Sequence, residues 1–240
     1  MLLVSGLFKV ESPSGKPIAG MALSAGEGAN ATSAVTDAHG LATLRLPASR
    51  GFEVIGMLPP HYQDLHIFGT AGASDFQYTT YMGTRIEAAA LARLAGVPHD
   101  ASRGYVVVGL DTLVDPHGGL APSNLAPAVG TSAALGGLNE SAAPFVLMGG
   151  LWPVSSQTIS ANSSSFVTFP NVAAAKTPED AGTATASPPV GQRCSVSPGF
   201  AAQPQPIRAY PDAVSVVSFL CMGPAEPSTL EDSMRGSGER

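Results

Sequence analysis

Three residues in the stretch PHYQDLHIF could hold a metal ion: His61, Asp64 and His66. Imidazole and carboxylate groups ligate divalent cations, and three such ligands leave a position free for a reactive water. Strand spacing works against this. On an extended segment His61 and His66 differ by five and face opposite sides, while Asp64 and His66 share a face. A joint site would need a bulge, so the three are weak ligand candidates and no metal is expected. His39 and His117 sit in the turns DAHG and DPHGG and are expected at the surface. Asp37 and Asp115 could offer oxygens to calcium there, although a turn aspartate usually bonds its own backbone. No G-x-S-x-G, H-E-x-x-H or P-loop occurs, and the strand carboxylates Glu53, Asp64 and Asp111 show no telling spacing. No catalytic residue and no cofactor is expected.

Aromatic side chains offer binding chemistry. Tyr62, Tyr78 and Tyr81 cluster with Phe68 and Phe76, and Trp152 precedes Pro153 in an expected loop. Exposed, they would form a platform for stacking a sugar or a peptide; buried, they would be core. The only two cysteines are Cys194 and Cys221, each beside an expected strand. Two strands of one small sandwich can bring such a pair within disulfide reach, if the compartment is oxidising. Two unpaired buried thiols are the alternative.

These residues need strands to position them. Of 240 residues only 12% are charged, about half the usual share, while glycine (27) and proline (21) make up a fifth. Many short strands joined by turns fit this composition, whereas helices would carry charged solvent faces. The net charge of −6, with lysines only at Lys9, Lys16 and Lys176, excludes a nucleic-acid surface. No apolar run is long enough for a transmembrane helix. MLLVSGLFKV lacks a basic leader and a small-residue cleavage site, and reads as a first strand.

Strands are read at Leu2–Val10, Ile18–Ser24, Ser33–Thr36, Leu41–Leu46, Phe52–Met57, Tyr62–Phe68 and Phe76–Tyr81, with period-two alternation and one apolar face over Leu41–Leu46. TRIEAAALARLAG is the one helix expected, capped by Thr84 with Glu87 and stopped at Gly96. Its face of Ile86, Ala90, Leu91 and Leu94 should pack on a sheet. Strands resume at Gly104–Val114, Pro144–Met148, Phe166–Phe169, Gly182–Ser187, Gln192–Val196 and Val214–Cys221, with a weak strand–loop pattern over 121–137. The hairpin at Ser33–Pro47 has a looser counterpart at Ser164–Val172, which suggests a repeated module.

GLFKVESPSGKPIAGMALSA followed by AVTDAHGLATLRLP resembles the carboxypeptidase regulatory-like modules, the transthyretin-like sandwiches of exported bacterial proteins. Gly15, Pro17, Ile18 and Gly20 match the first turn of that pattern, and Thr36, Asp37, Gly40, Leu44 and Pro47 match the hairpin. The second half looks like a diverged copy, with Asn162 and a serine run where the Asp-x-x-Gly turn should be. The resemblance implies an all-β protein of two transthyretin-like (Ig-like) Greek-key β-sandwiches joined by a short helix. Residues 1–83 form the first, 84–103 the helical linker, 104–223 the second and 224–240 a disordered tail. Its matched residues are structural and carry no catalysis.

The resulting expectation is a non-catalytic structural or adhesive module of a periplasmic, cell-surface or secreted protein. Its partners would be cell-wall polysaccharide or other surface proteins. A carbohydrate- or peptide-binding accessory module, using Tyr62, Tyr78, Tyr81 and Trp152, is the alternative. A small metalloenzyme at His61, Asp64 and His66 and a cytosolic location complete the open readings.

Overall fold

The computed structural model describes residues 2–26, 31–115, 122–140, 142–149 and 152–223. The turn at 115–119 and His117, most of the loop at 26–32, and the tail at 224–240 lie outside the described residues, wholly or in large part. The fold is almost entirely β. In the first half come β1 (Leu3–Glu11), β2 (Ala22–Ala25), β3 (Thr32–Val35), β4 (Leu41–Pro47), β5 (Gly51–Met57), β6 (Asp64–Thr70) and β7 (Phe76–Tyr81). Helix α1 (Arg85–Leu94) follows. The second half holds β8 (Arg103–Leu113), β9 (Leu125–Pro127), β10 (Ser132–Gly136), β11 (Phe145–Met148), β12 (Trp152–Ser155) and β13 (Ser163–Ala173). It ends with β14 (Gly182–Ser187), β15 (Arg193–Val196), β16 (Gln205–Ile207) and β17 (Ala213–Met222).

One sheet of eleven strands runs through both halves in the order β12-β11-β13-β8-β17-β6-β5-β2-β3, with β15 added to β17 and β9 to β8. Two three-stranded sheets, β4-β1-β7 and β10-β14-β16, complete the layers. The seam is β17. It pairs in parallel with β6, from Ala213↔Asp64 to Val217↔Phe68, and with β8, from Val214↔Tyr105 to Leu220↔Asp111. Strands buried on both faces read as nearly continuous apolar runs, which accounts for AVSVVSFLCM. Val217, Phe219 and Cys221 point into a core with Val106, Val108 and Phe169. Val216 belongs instead to the core of the first half, the first core, with Phe8, Leu23, Leu44 and Ile67. The C-terminal strand thus bridges the halves, and their main contact is this strand ladder rather than the helix.

The turn chemistry of the first half behaves as its residues imply. Asp37 Oδ1 accepts from the amides of His39 (2.8 Å) and Leu41 (3.0 Å), and those bonds hold its carboxyl below the usual aspartate range. Gly40 adopts φ +73°, and a Cβ there would lie 2.4 Å from the Val10 carbonyl oxygen. Thr36 is buried, with Oγ1 donating to Ile18 O (2.8 Å) and accepting from Met21 N (2.9 Å).

Helix α1 carries the expected capping box between Thr84 and Glu87. Its orientation differs from expectation. Ile86 is 81% and Leu94 58% exposed, Ala90 is exposed, and Ala92 is the buried member. The inward side is made by Ala92 with the half-buried Ala88 and Leu91. Trp152 also differs. It stands in edge strand β12, paired with Met148, rather than in a loop.

Candidate functional site

The polar groups gather where the halves meet. On β5 and β6 alternate side chains leave the first core, and Glu53 and His66 emerge on the opposite face, towards the segment after β16. His66 is nearly buried, and its Nδ1 donates to Glu53 Oε1 at 2.8 Å. The Tyr210 hydroxyl donates to the same oxygen at 2.7 Å, and Arg208 Nη2 donates to Oε2 at 2.6 Å. The His66 ring stacks on Tyr210 with centroids 3.8 Å apart, and the Arg208 guanidinium lies 5.8 Å from that ring's centre. Burial pushes the Glu53 carboxyl up. The bonds from His66 and Tyr210 and the Arg208 charge outweigh it and hold the group below the ordinary glutamate value. Burial and the adjacent Glu53 carboxylate push the Tyr210 phenol well up. Ser215 on β17 fixes the segment by donating to Arg208 O at 2.6 Å.

A second knot lies two residues on. Asp212, at φ +50°, accepts from Gln63 Nε2 (3.1 Å), pairs with Arg85 and lies 3.4 Å from His99 Nε2. The other His99 nitrogen meets the Tyr105 hydroxyl at 3.2 Å. Residues from β6, α1, β8 and the β16–β17 connection therefore converge on one stretch, 208–212.

The sequence candidates are distributed differently. His61 is exposed ahead of β6, Asp64 is exposed at its first position, and His66 faces Glu53. No group of three His, Cys, Asp or Glu side chains among the described residues is placed to hold a metal. Tyr78 is buried, its hydroxyl 2.9 Å from Ser218 Oγ, and burial pushes its pKa up to about 12. Tyr62 packs against the first core. Tyr81, 38% exposed, and Trp152, 66% exposed, occupy separate strands, β7 of a small sheet and edge strand β12 of the large one. The four do not form one platform. Cys194 and Cys221 are joined by a disulfide between directly opposed residues of β15 and β17, with Cα atoms 3.9 Å apart.

One further feature carried no sequence signal beyond a lone acidic residue in an apolar strand. Asp111 on β8 is largely buried, accepts a bond from Ser165, and has its pKa pushed by burial up to about 6. It lines a cavity of about 30 Å³ with Gln77, Tyr78, Thr79, Leu125 and Ser218.

Neither a family model nor a curated protein matches the sequence. Among solved structures, the chain is similar to the minor pilin GBS52 of Streptococcus agalactiae at 10% identity, covering 95% of this chain and 98% of that one, with a TM-score of 0.30. The shaft pilin SpaA of Lactobacillus rhamnosus GG gives 11% identity, coverages of 93% and 99%, and a TM-score of 0.24. The Bacillus anthracis TIE protein gives 8% identity and a TM-score of 0.28, and this chain, matched over 91% of its length, spans about a third (34%) of that protein. At these values the likeness carries no argument about function.

Proposed function

We propose that this chain is a non-catalytic structural or adhesive module of an exported protein. One observation carries the reading: both carboxylate oxygens of Glu53 are occupied by internal donors drawn from both halves of the chain. A carboxylate that itself exchanges a proton with an incoming group, or ligates one, leaves an oxygen free to meet it. Here His66, Arg208 and Tyr210 use both, and the bonds lock a segment from the end of the chain onto strands from its beginning. The Cys194–Cys221 disulfide staples β17, the strand that follows this segment, to β15 and supports an oxidising, extracytoplasmic location. No helix among the described residues is long and apolar enough to cross a membrane.

Residues 1–83 and 104–223 are read as two sandwich-like halves, the first of carboxypeptidase regulatory-like type. The structural use of Thr36, Asp37 and Gly40 supports that assignment. Partners would be other surface proteins or cell-wall polysaccharide.

Glu53→Gln, followed by chemical denaturation at pH 7, tests the role of the knot. A structural knot loses charge-assisted bonds, and stability falls by about 2–4 kcal/mol. Residues held for chemistry typically stabilise the fold when neutralised. Unchanged or increased stability of Glu53→Gln would overturn the reading.

A further inference from the structure

Among the described residues, strand β7 is the open edge of its sheet: it pairs with β1 and with no other described strand. Its outward side can be read from one bond. Met82 N donates to Glu11 O on β1 at 2.8 Å. Backbone groups alternate along an extended strand, so Thr80, Tyr78 and Phe76 also turn theirs to β1. Gln77, Thr79 and Tyr81 therefore present N–H and C=O groups outward. The strand reads FQYTTY, with no proline, charge or bulge to blunt it. Native edges normally carry such protection, and an edge that lacks it is a template for another strand.

The ground beneath this edge is polar and unfinished. The cavity of about 30 Å³ lies between Gln77–Thr79 and Asp111, Leu125 and Ser218. Thr79 Oγ1 is buried there without a hydrogen-bond partner. Asp111 has no cation paired with it among the described residues; Lys9, from the neighbouring strand, is held by Glu11 at 2.6 Å. Burial lifts Asp111 to about 6, the mark of a carboxylate whose counter-charge is missing. Tyr81, whose phenol is pushed up by burial first and then by the Glu11 and Asp111 charges, meets Phe166 edge-on at 5.8 Å, which adds aromatic surface of the kind that attracts cations.

We propose that the β7 edge, with Asp111 beneath it, docks an extended peptide segment that carries a lysine or arginine. The free N–H and C=O groups recognise the backbone, and the carboxylate recognises the basic side chain. A second copy of β7 fits poorly, because FQYTTY brings no cation. This inference names a partner class for the module proposed above, and rests on the reading that the chain works by holding partners.

The test titrates the intact chain with synthetic eight-residue threonine/valine peptides in which one lysine is stepped through the four central positions. Binding is followed by amide chemical shifts. One lysine register is expected to bind, with the shifts centred on Gln77, Thr79 and Tyr81. Replacing lysine with norleucine should weaken binding about tenfold or more. N-methylation of alternate peptide amides should abolish it. Asp111→Asn should bring the lysine peptide down to the norleucine level and leave the norleucine peptide unchanged. Binding that ignores N-methylation or Asp111→Asn, shifts centred on β3 or β12, or no binding at millimolar peptide would each overturn the proposal. The peptide is recovered and weighed after each titration. Cleaved peptide would overturn the non-catalytic reading, whereas intact peptide that never bound overturns only the docking site.

Discussion

Replacing Asp111 with asparagine should stabilise the protein at neutral pH. The side chain keeps its shape and an acceptor for Ser165, and loses the charge that burial penalises. In the unfolded chain the carboxyl titrates near 3.8, in the folded chain near 6. An acid whose folded pKa is raised binds more protons folded than unfolded between those values, so stability falls as pH rises through that window. Above it the full difference is lost: about 2 pH units at 1.36 kcal/mol each, or about 3 kcal/mol as an upper bound. Residual solvent at the cavity reduces this, and half of it still raises Tm by about 3–6 °C for a chain of this size. Thermal unfolding of both proteins at pH 7.5 and pH 4 is the assay. The variant should melt higher at pH 7.5, and the gap should close at pH 4, where wild-type Asp111 is already protonated in the folded state. A gap independent of pH, or a variant less stable at pH 7.5, would refute the reasoning.

Glu53 has the opposite sign: its folded pKa is depressed, so its contribution is present above the unfolded value of 4.5 and is lost as pH falls through the folded one. The stability difference between wild type and Glu53→Gln should therefore shrink below about pH 4 in acid-dependent denaturation. Gly40→Ala should cost at least about 2 kcal/mol in urea unfolding, because it forces a left-handed residue against the Val10 carbonyl. Phe219→Ala, where the seam strand β17 enters the core, should cost about 3–5 kcal/mol in the same assay. Alkylation of purified, unreduced protein followed by intact mass should leave both cysteines unlabelled; two labels would remove the oxidising-compartment argument.

Local structure was legible where a local rule governs it. Strand β7 and strand β14 begin and end where they are read from the sequence, and Thr84 with Glu87 marks the helix start. The buried side of the helix, at Ala88, Leu91 and Ala92 rather than Ile86 and Leu94, is set by what the helix packs on, and period alone does not carry that. Trp152 read as loop because β12 is a four-residue edge strand containing Pro153. The shared sheet was out of reach. The seam joins β17 to β6, and alternation in AVSVVSFLCM says that both faces are buried without saying which neighbours flank it. The Glu53 knot is hidden for the same reason: its members stand 13, 155 and 157 residues from Glu53. His66 drew notice as a ligand through its neighbours His61 and Asp64, while its actual partner lies across the sheet on β5.

Amide hydrogen exchange of the intact, oxidised chain tests most directly whether β17 and the 208–212 knots weld the halves into one structural body. The slowest amides of β6, β8 and β17 should open with the same free energy, equal to that of global unfolding. Full exchange in β6 while β8 and β17 stay protected, or the reverse, would show two independent units and contradict the role assigned to the seam.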